Sequence, residues 1–193
     1  MASIADAAAA VREGGLVVYP TETVYGLGAD ALDAHAVEGV FAAKGRDRDE
    51  PISMAVPDVE TAREYTRPTE RELAFMRAFL PGPVTVVVEG RESVPDVLVA
   101  GRDRVGIRVP DHEMALELLA ETGPLTATSA NVSGKPSART VDDLDAIAER
   151  ADVVLDGGET GGTGSTVVDV RAGTIHRRGA MADEIEAWLA DRQ

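Results

Sequence analysis

Short apolar runs of strand character alternate with segments of helical period along almost all of the 193-residue sequence, and that alternation limits the fold more than any other feature. Ile4, Ala8 and Val11 share one helical face, the Gly14-Gly15 pair stops that helix, and the buried run Leu16 to Tyr19 follows. Pro20 to Asp30 is polar and glycine-containing and reads as a loop. Asp33 then caps a helix with Ala36, Val37, Val40 and Phe41 on its inner face, ending near Lys44-Gly45. Ile52 to Val56 reads as a strand. Thr69 and Glu72 form a capping box ahead of Leu73, Met76 and Phe79, so a helix runs to the Pro81-Gly82-Pro83 break.

Val84 to Glu89, Arg104 to Val109 and Leu125 to Thr128 are β-rich runs bounded by turn residues, and a helix bearing Met114, Leu118 and Leu119 lies between the last two. Asp142 to Glu149 reads as a short helix, Asp152 to Leu155 and Thr166 to Val170 as strands, and Gly173 to His176 as a further edge. A terminal helix presents Ile185, Trp188 and Leu189 on one side. Interleaving of this kind predicts an α/β fold in which helices flank a twisted, mixed β-sheet. The length suits a single domain spanning residues 1–193, since a chain of this size buries roughly 70% of its unfolded surface. Asp156 to Gly164 is too short to separate two cores and reads as a flexible loop at a site.

Several chemistries are excluded early. The chain has no cysteine and three scattered histidines, so neither a disulfide framework nor a metal-ligand spacing is present, and no bound metal is expected. The first residues lack a basic start followed by a long apolar stretch, and no apolar run approaches the roughly 20 residues that span a bilayer. A cytoplasmic protein with no membrane partner is the expectation. The GxxxxGK[ST], GxGxxG, GxSxG and HExxH motifs are all absent, which tells against P-loop, Rossmann, serine hydrolase and zincin chemistry.

The charge balance is strongly acidic: 34 acidic against 19 basic residues give a formal net charge of -15. Of the basic residues only Lys44 and Lys135 are lysines. A surface of this sign repels nucleic acid. Dense carboxylates with few lysines and few large aromatics point to a salt-adapted, halophilic protein, in which screening removes the mutual repulsion.

Several polar segments stand where a site could form. Thr21, Thr23, Gly26 and Gly28 follow the first buried run, offering hydroxyls and close backbone approach, although a plain strand-to-helix turn has the same composition. Lys44 and Arg46 pair an ammonium with a guanidinium and suit a polyphosphate; they are equally suited to capping a helix C-terminus. Arg108 falls on the opposite strand face from Val105, Ile107 and Val109, where it would meet either a substrate carboxylate or solvent. Thr126 to Ser137 crowds hydroxyls, Asn131, a glycine and Lys135 at a strand end, a composition that binds phosphate. Ser165 follows the glycine loop, and Arg177-Arg178 lies near the end.

In order, LVVYPTETVYGLGADA, KGR, PGPVTVVVE, VGIRVPDH, TSANVSGKPS and STVVDV resemble the ordered motifs of the YrdC-like family across residues 15–170. The resemblance implies a YrdC-type fold and formation of threonylcarbamoyl-AMP from L-threonine, bicarbonate and ATP, with ATP as a substrate accompanied by Mg²⁺. By matched position it assigns ATP to Lys44, Arg46, Ser129, Asn131 and Arg177, with Lys44 and Arg46 as the catalytic cations. It assigns threonine to Thr23, Arg108 and Ser165, with Thr21 and Arg139 peripheral. It also implies a downstream link to tRNA or to a threonylcarbamoyl-transferase complex. Glu50 and Ala55 depart from the pattern, where many members carry asparagine and some a histidine, and the chain resembles the short YciO-like branch. Two other readings stay open: an RNA-binding module, if Arg102, Arg104, Arg108, Arg177 and Arg178 gather on one face, and a carbamoyl-nucleotide enzyme with a different acceptor.

This acidic charge has a direct consequence for stability. The melting temperature should rise between dilute buffer and molar KCl as carboxylate repulsion is screened. A melting temperature that stays flat across that range would contradict the halophilic reading.

Overall fold

The fold is organised by the way small and large residues alternate along its strands, which sends aliphatic side chains to one face and leaves the other shallow. The computed structural model describes residues 2–191; residues 1, 192 and 193 of the expected domain lie outside the described residues. Helix α1 (Ile4–Arg12) opens with a capping box between Ser3 and Asp6, and leads into β1 (Val17–Tyr19) and β2 (Gly26–Gly28). Helix α2 (Ala34–Lys44) is capped by Asp33, which accepts from the His35 N–H at 2.9 Å, and stops at Gly45 in the left-handed region. Strand β3 (Ser53–Ala55), helices α3 (Val59–Tyr65) and α4 (Glu70–Phe79), strand β4 (Val84–Glu89) and helix α5 (Asp96–Val99) follow. The chain then forms β5 (Arg104–Arg108), α6 (Glu113–Thr122), β6 (Leu125–Ser129), α7 (Ala146–Arg150), β7 (Val153–Val154), β8 (Thr166–Asp169), β9 (Thr174–Arg177) and α8 (Ala182–Asp191).

Hydrogen bonding joins the strands in the order β7-β1-β2-β6-β3-β5-β4-β8-β9. The β1–β7, β3–β5 and β4–β8 pairs are parallel and the remaining pairs antiparallel. This is the expected mixed sheet flanked by helices. One face carries Val18, Leu27, Met54, Val86, Ile107 and Val168, packed under α2, α3, α4, α5, α7 and α8. On the opposite face, α1 and α6 cover Val17 and Leu125. The rest of that face is left without a helix.

Four expectations needed correction. The expected loop Pro20 to Asp30 contains β2, because Gly26 and Gly28 let the Tyr19 ring lie across that strand; a Cβ there would meet the ring at 3.0 and 2.8 Å. A single leucine between two glycines carries almost no strand signal. Helix α3 buries Ala62 alone, so its period was invisible, and α5 is a single turn. The expected helix Asp142 to Glu149 is two pieces, a 3-10 turn at Val141–Asp143 and then α7, since Asp145 between them has φ 47°. No helix among the described residues is long and apolar enough to cross a membrane.

One buried charge ties these layers together. Glu72, with no exposed surface, accepts from its capping partner, the Thr69 N–H, at 2.7 Å and pairs with Arg104 at 3.0 Å. Arg104 in turn reaches Asp169 at 3.1 Å and the Val87 carbonyl at 2.6 Å, so α4, β4, β5 and β8 share one network. Removing Arg104 would leave the Glu72 carboxylate, which has no exposed surface, without its close cation, the nearest other being the half-exposed Arg171 at 3.8 Å. Arg104→Ala should lower the urea-unfolding free energy by about 3 to 5 kcal/mol. A loss below about 1 kcal/mol, the range of an exposed pair, would show that the network contributes little.

Candidate functional site

The uncovered half of the sheet is the floor of a cavity of about 690 Å³. Its floor is built from small residues, among them Ser53, Ala55, Gly106 and Ala127. At Gly106 even a methyl group would collide with the Ser53 hydroxyl. The polar loops reach this floor by register: Gly26 of β2 pairs with Ser129 of β6, and Ala55 of β3 with Arg108 of β5. The hairpin connecting β1 to β2 and the loop leaving β6 therefore meet at one end of the sheet, beside Arg108.

Arg108 is 6% exposed, and its Nη2 donates to Glu22 Oε1 at 2.7 Å and to Thr23 Oγ1 at 3.0 Å. The Thr21 hydroxyl donates to the Val24 carbonyl at 2.7 Å and lies 2.9 Å from the Thr23 hydroxyl. Its proton is thus committed to Val24, so Thr23 donates to Thr21 and accepts from Arg108. Thr23 is left with acceptor capacity toward the cavity. Across the floor, Ser165 Oγ accepts from Arg177 Nη2 at 2.9 Å and lies 3.1 Å from the Thr85 hydroxyl. Arg177 also donates twice to the Ser165 carbonyl, at 3.1 and 3.0 Å. Its pKa is lowered, first by burial and then by the charges of Arg108 and Arg46, so three guanidinium groups share this space.

Lys44 stands differently from the expectation that it faces ligand. It is 1% exposed at the end of α2, and Nζ donates to the Ser129 carbonyl, to the Asn131 carbonyl at 2.7 Å and toward Asn131 Oδ1 at 3.4 Å. Burial, and then Arg46, bring its pKa down to about 8. The Ser129 hydroxyl donates to Asn131 Oδ1, while Asn131 Nδ2 donates to the Lys135 carbonyl at 2.8 Å. The helix end and the serine-asparagine loop are therefore laced together, with Lys44 and Asn131 behind the lining. Arg46 does line the cavity, held by the Glu50 and Pro51 carbonyls at 3.2 and 3.1 Å.

Thr23, Arg46, Arg108, Ser129, Ser165 and Arg177 thus come together in one cavity, with Thr21 beside them. Arg139 does not join them; it pairs with Glu159 at 2.6 Å on an exposed surface. Of the arginines considered for an RNA face, Arg102, Arg104, Arg108 and Arg177 line the cavity, whereas Arg178 pairs with Asp183 and Glu186. Ala55 lies in the floor, and Glu50 pairs with Arg46 at 3.6 Å. Sequence reasoning overlooked Ser53, Thr85, Asp169 and His176, which line the cavity together with Ser137 from the polar segment already singled out. For Thr85 the signal was available, since it interrupts the valines of β4 on the face opposite Val84 and Val86. The glycine-rich loop does reach the site through Gly164, yet it is tied down: the Gly162 N–H donates to the Thr23 carbonyl at 2.6 Å, and the Tyr25 hydroxyl donates to the Gly158 carbonyl at 2.7 Å.

The arrangement has known counterparts. The family model for Sua5, YciO and YrdC, described as Telomere recombination, matches residues 9–179. A threonylcarbamoyl-AMP synthase of Pyrococcus abyssi is 44% identical over 169 residues, taking in 85% of this chain and 49% of that protein. The chain spans about half the length of the first curated relatives it matches, 49% of both the P. abyssi and the Bacillus subtilis proteins. The structure of P. abyssi Sua5 complexed with L-threonine superposes with a TM-score of 0.89 at 40% identity, covering 96% of this chain and 56% of that one. Escherichia coli YciO superposes with a TM-score of 0.82 at 26% identity, covering 92% and 89%. By sequence and by fold, the chain belongs to the Sua5–YciO–YrdC family.

Proposed function

We infer that this chain joins L-threonine, bicarbonate and ATP into threonylcarbamoyl-AMP, releasing pyrophosphate and water. The observation that supports this most is the convergence, on one shallow sheet face, of a carboxylate-binding arginine flanked by hydroxyls with a separate group of phosphate-suited cations. The names of the relatives add to it, as does the threonine complex of the P. abyssi structure.

In this reading Arg108 takes the threonine carboxylate, while Thr23 accepts from the β-hydroxyl and Ser165 closes the other side. The amine captures carbon dioxide as a carbamate, losing one proton. A carbamate oxygen then attacks the α-phosphorus of ATP, and pyrophosphate leaves. No protein nucleophile takes part, so the rate comes from positioning and from cations facing charge that grows on the phosphates. Arg46 and Arg177 supply that charge at the cavity wall. Lys44 contributes from behind, by orienting the serine-asparagine loop and by its own field, and Mg²⁺ arrives with ATP. The product would pass to a cytoplasmic transferase acting on tRNA.

The test of the substrate assignment is bicarbonate-dependent pyrophosphate release with a series of amino acids. Threonine should exceed serine modestly, because serine loses methyl packing alone. Valine keeps the shape but strands the hydroxyl partners, and should fall by up to about 10⁴-fold. Arg108→Ala should depress all three. Equal turnover of valine and threonine would reject the assignment in favour of a carbamoyl-nucleotide enzyme with another acceptor.

Lys44 gives a separate pH signature. With its pKa in the free protein near 8, the ammonium is lost as pH rises past that value, whereas a bound polyphosphate holds the proton on. Affinity for ATP should therefore be level below pH 8 and then fall, approaching about tenfold per pH unit. Lys44→Met should bind more weakly at pH 7 and lack the step. A wild-type affinity that is flat from pH 7 to about 9.5, read by calorimetric titration, would show that the Lys44 charge does not act on bound phosphate.

A further inference from the structure

The arginines lining the cavity differ in whether a carboxylate already answers them. Arg104 is neutralised by Glu72 and Asp169, at 3.0 and 3.1 Å. Arg108 is neutralised by Glu22 at 2.7 Å, with side-chain exposures of 8% and 17% that leave the pair little screening by water. Arg46 meets Glu50 at 3.6 Å, but the Glu50 side chain is 58% exposed, so that attraction is weak. Arg177 has, among the described residues, Ser165 as its hydrogen-bond partner and no carboxylate. Uncompensated positive charge is thus confined to the Arg46 and Arg177 side, together with exposed Arg102, and is cancelled at Arg108.

Glu22 itself is not among the residues lining the cavity, and its Oε2 is buried without a partner. An unmatched buried carboxylate oxygen costs stability. Completing the hydrogen bonding of the loop therefore does not explain this residue; what it supplies is negative charge behind Arg108. We propose that Glu22 determines the charge selectivity of the Arg108 subsite. By making it a neutral pair, Glu22 lets it accept a net-neutral amino-acid zwitterion and turns free anions away, leaving polyphosphate to Arg46 and Arg177. This rests on the assignment of Arg108 to the amino-acid carboxylate. It adds a residue that acts through Arg108 and touches no reacting atom.

Calorimetric titration of the full chain with L-threonine and with 2,3-dihydroxybutyrate tests it, since the second ligand replaces the ammonium by a hydroxyl and carries a net negative charge. The wild type should favour threonine by about tenfold or more. Glu22→Gln should bind the hydroxy acid about tenfold tighter than the wild type does, a gain that structural damage does not produce. Glu22→Asp should keep the wild-type preference, and Glu22→Gln combined with Arg108→Gln should show no gain. A wild type that binds both ligands equally would overturn the proposal without any variant having to fold, and so would a Glu22→Gln chain with no gain in anion affinity. If that gain appears in a chain that turns over no threonine, the charge role of Glu22 stands and the synthase reading falls.

Discussion

The structure depends on an unequal covering of its sheet. Six helices bury one face, whereas α1 and α6 cover one end of the other. An uncovered sheet face normally exposes either apolar side chains or solvated polar ones. Here it exposes hardly any side chain at the centre, because Gly106, Ala55, Ala127 and Ser53 form the floor. The space that larger residues would fill is the cavity, and backbone strands rather than loops set its depth. On β2, by contrast, the space left by Gly26 and Gly28 is filled by the Tyr19 ring.

Polar groups then reach this floor from strand ends. Arg108 ends β5 and Ser129 ends β6, while Thr21 and Thr23 lie in the hairpin between β1 and β2. Held by paired backbone, these groups lose little conformational freedom when a ligand arrives, which favours positioning as the source of rate in the proposed reaction. The Lys44 ammonium adds the remaining constraint, joining the end of α2 to the backbone of the serine-asparagine loop. Its burial is tolerated because carbonyl dipoles replace the lost water, at the expense of a pKa near 8.

The alternation of strand and helix signals was enough to read the α/β class and most element positions, because the Thr69–Glu72 capping box and the valine-rich strands are local signals. What escaped it depended on partners far away in sequence. The strand at Gly26–Gly28 forms because Tyr19 and Ser129 lie beside it, and α3 has one buried alanine to mark its inner face. At the site, the residue types were legible: Thr23, Arg46, Arg108, Ser129, Ser165 and Arg177 do line one cavity. The burial of Lys44 was not legible, since a lysine at a helix C-terminus reads the same whether it faces water or a neighbouring loop. Nor was Glu22 visible as the partner of Arg108, a contact between residues 86 positions apart.

In the proposed reaction, the uncovered half of the sheet brings an amino acid, a one-carbon unit and a nucleotide together at a single phosphorus. The most direct measurement is mass spectrometry of the nucleotide products formed by the purified chain from ATP, L-threonine and ¹³C-bicarbonate. The expected product is an AMP adduct that contains threonine and one labelled carbon, formed in equal amount with pyrophosphate. An unlabelled threonyl adenylate, or ADP and phosphate in place of AMP derivatives, would contradict it.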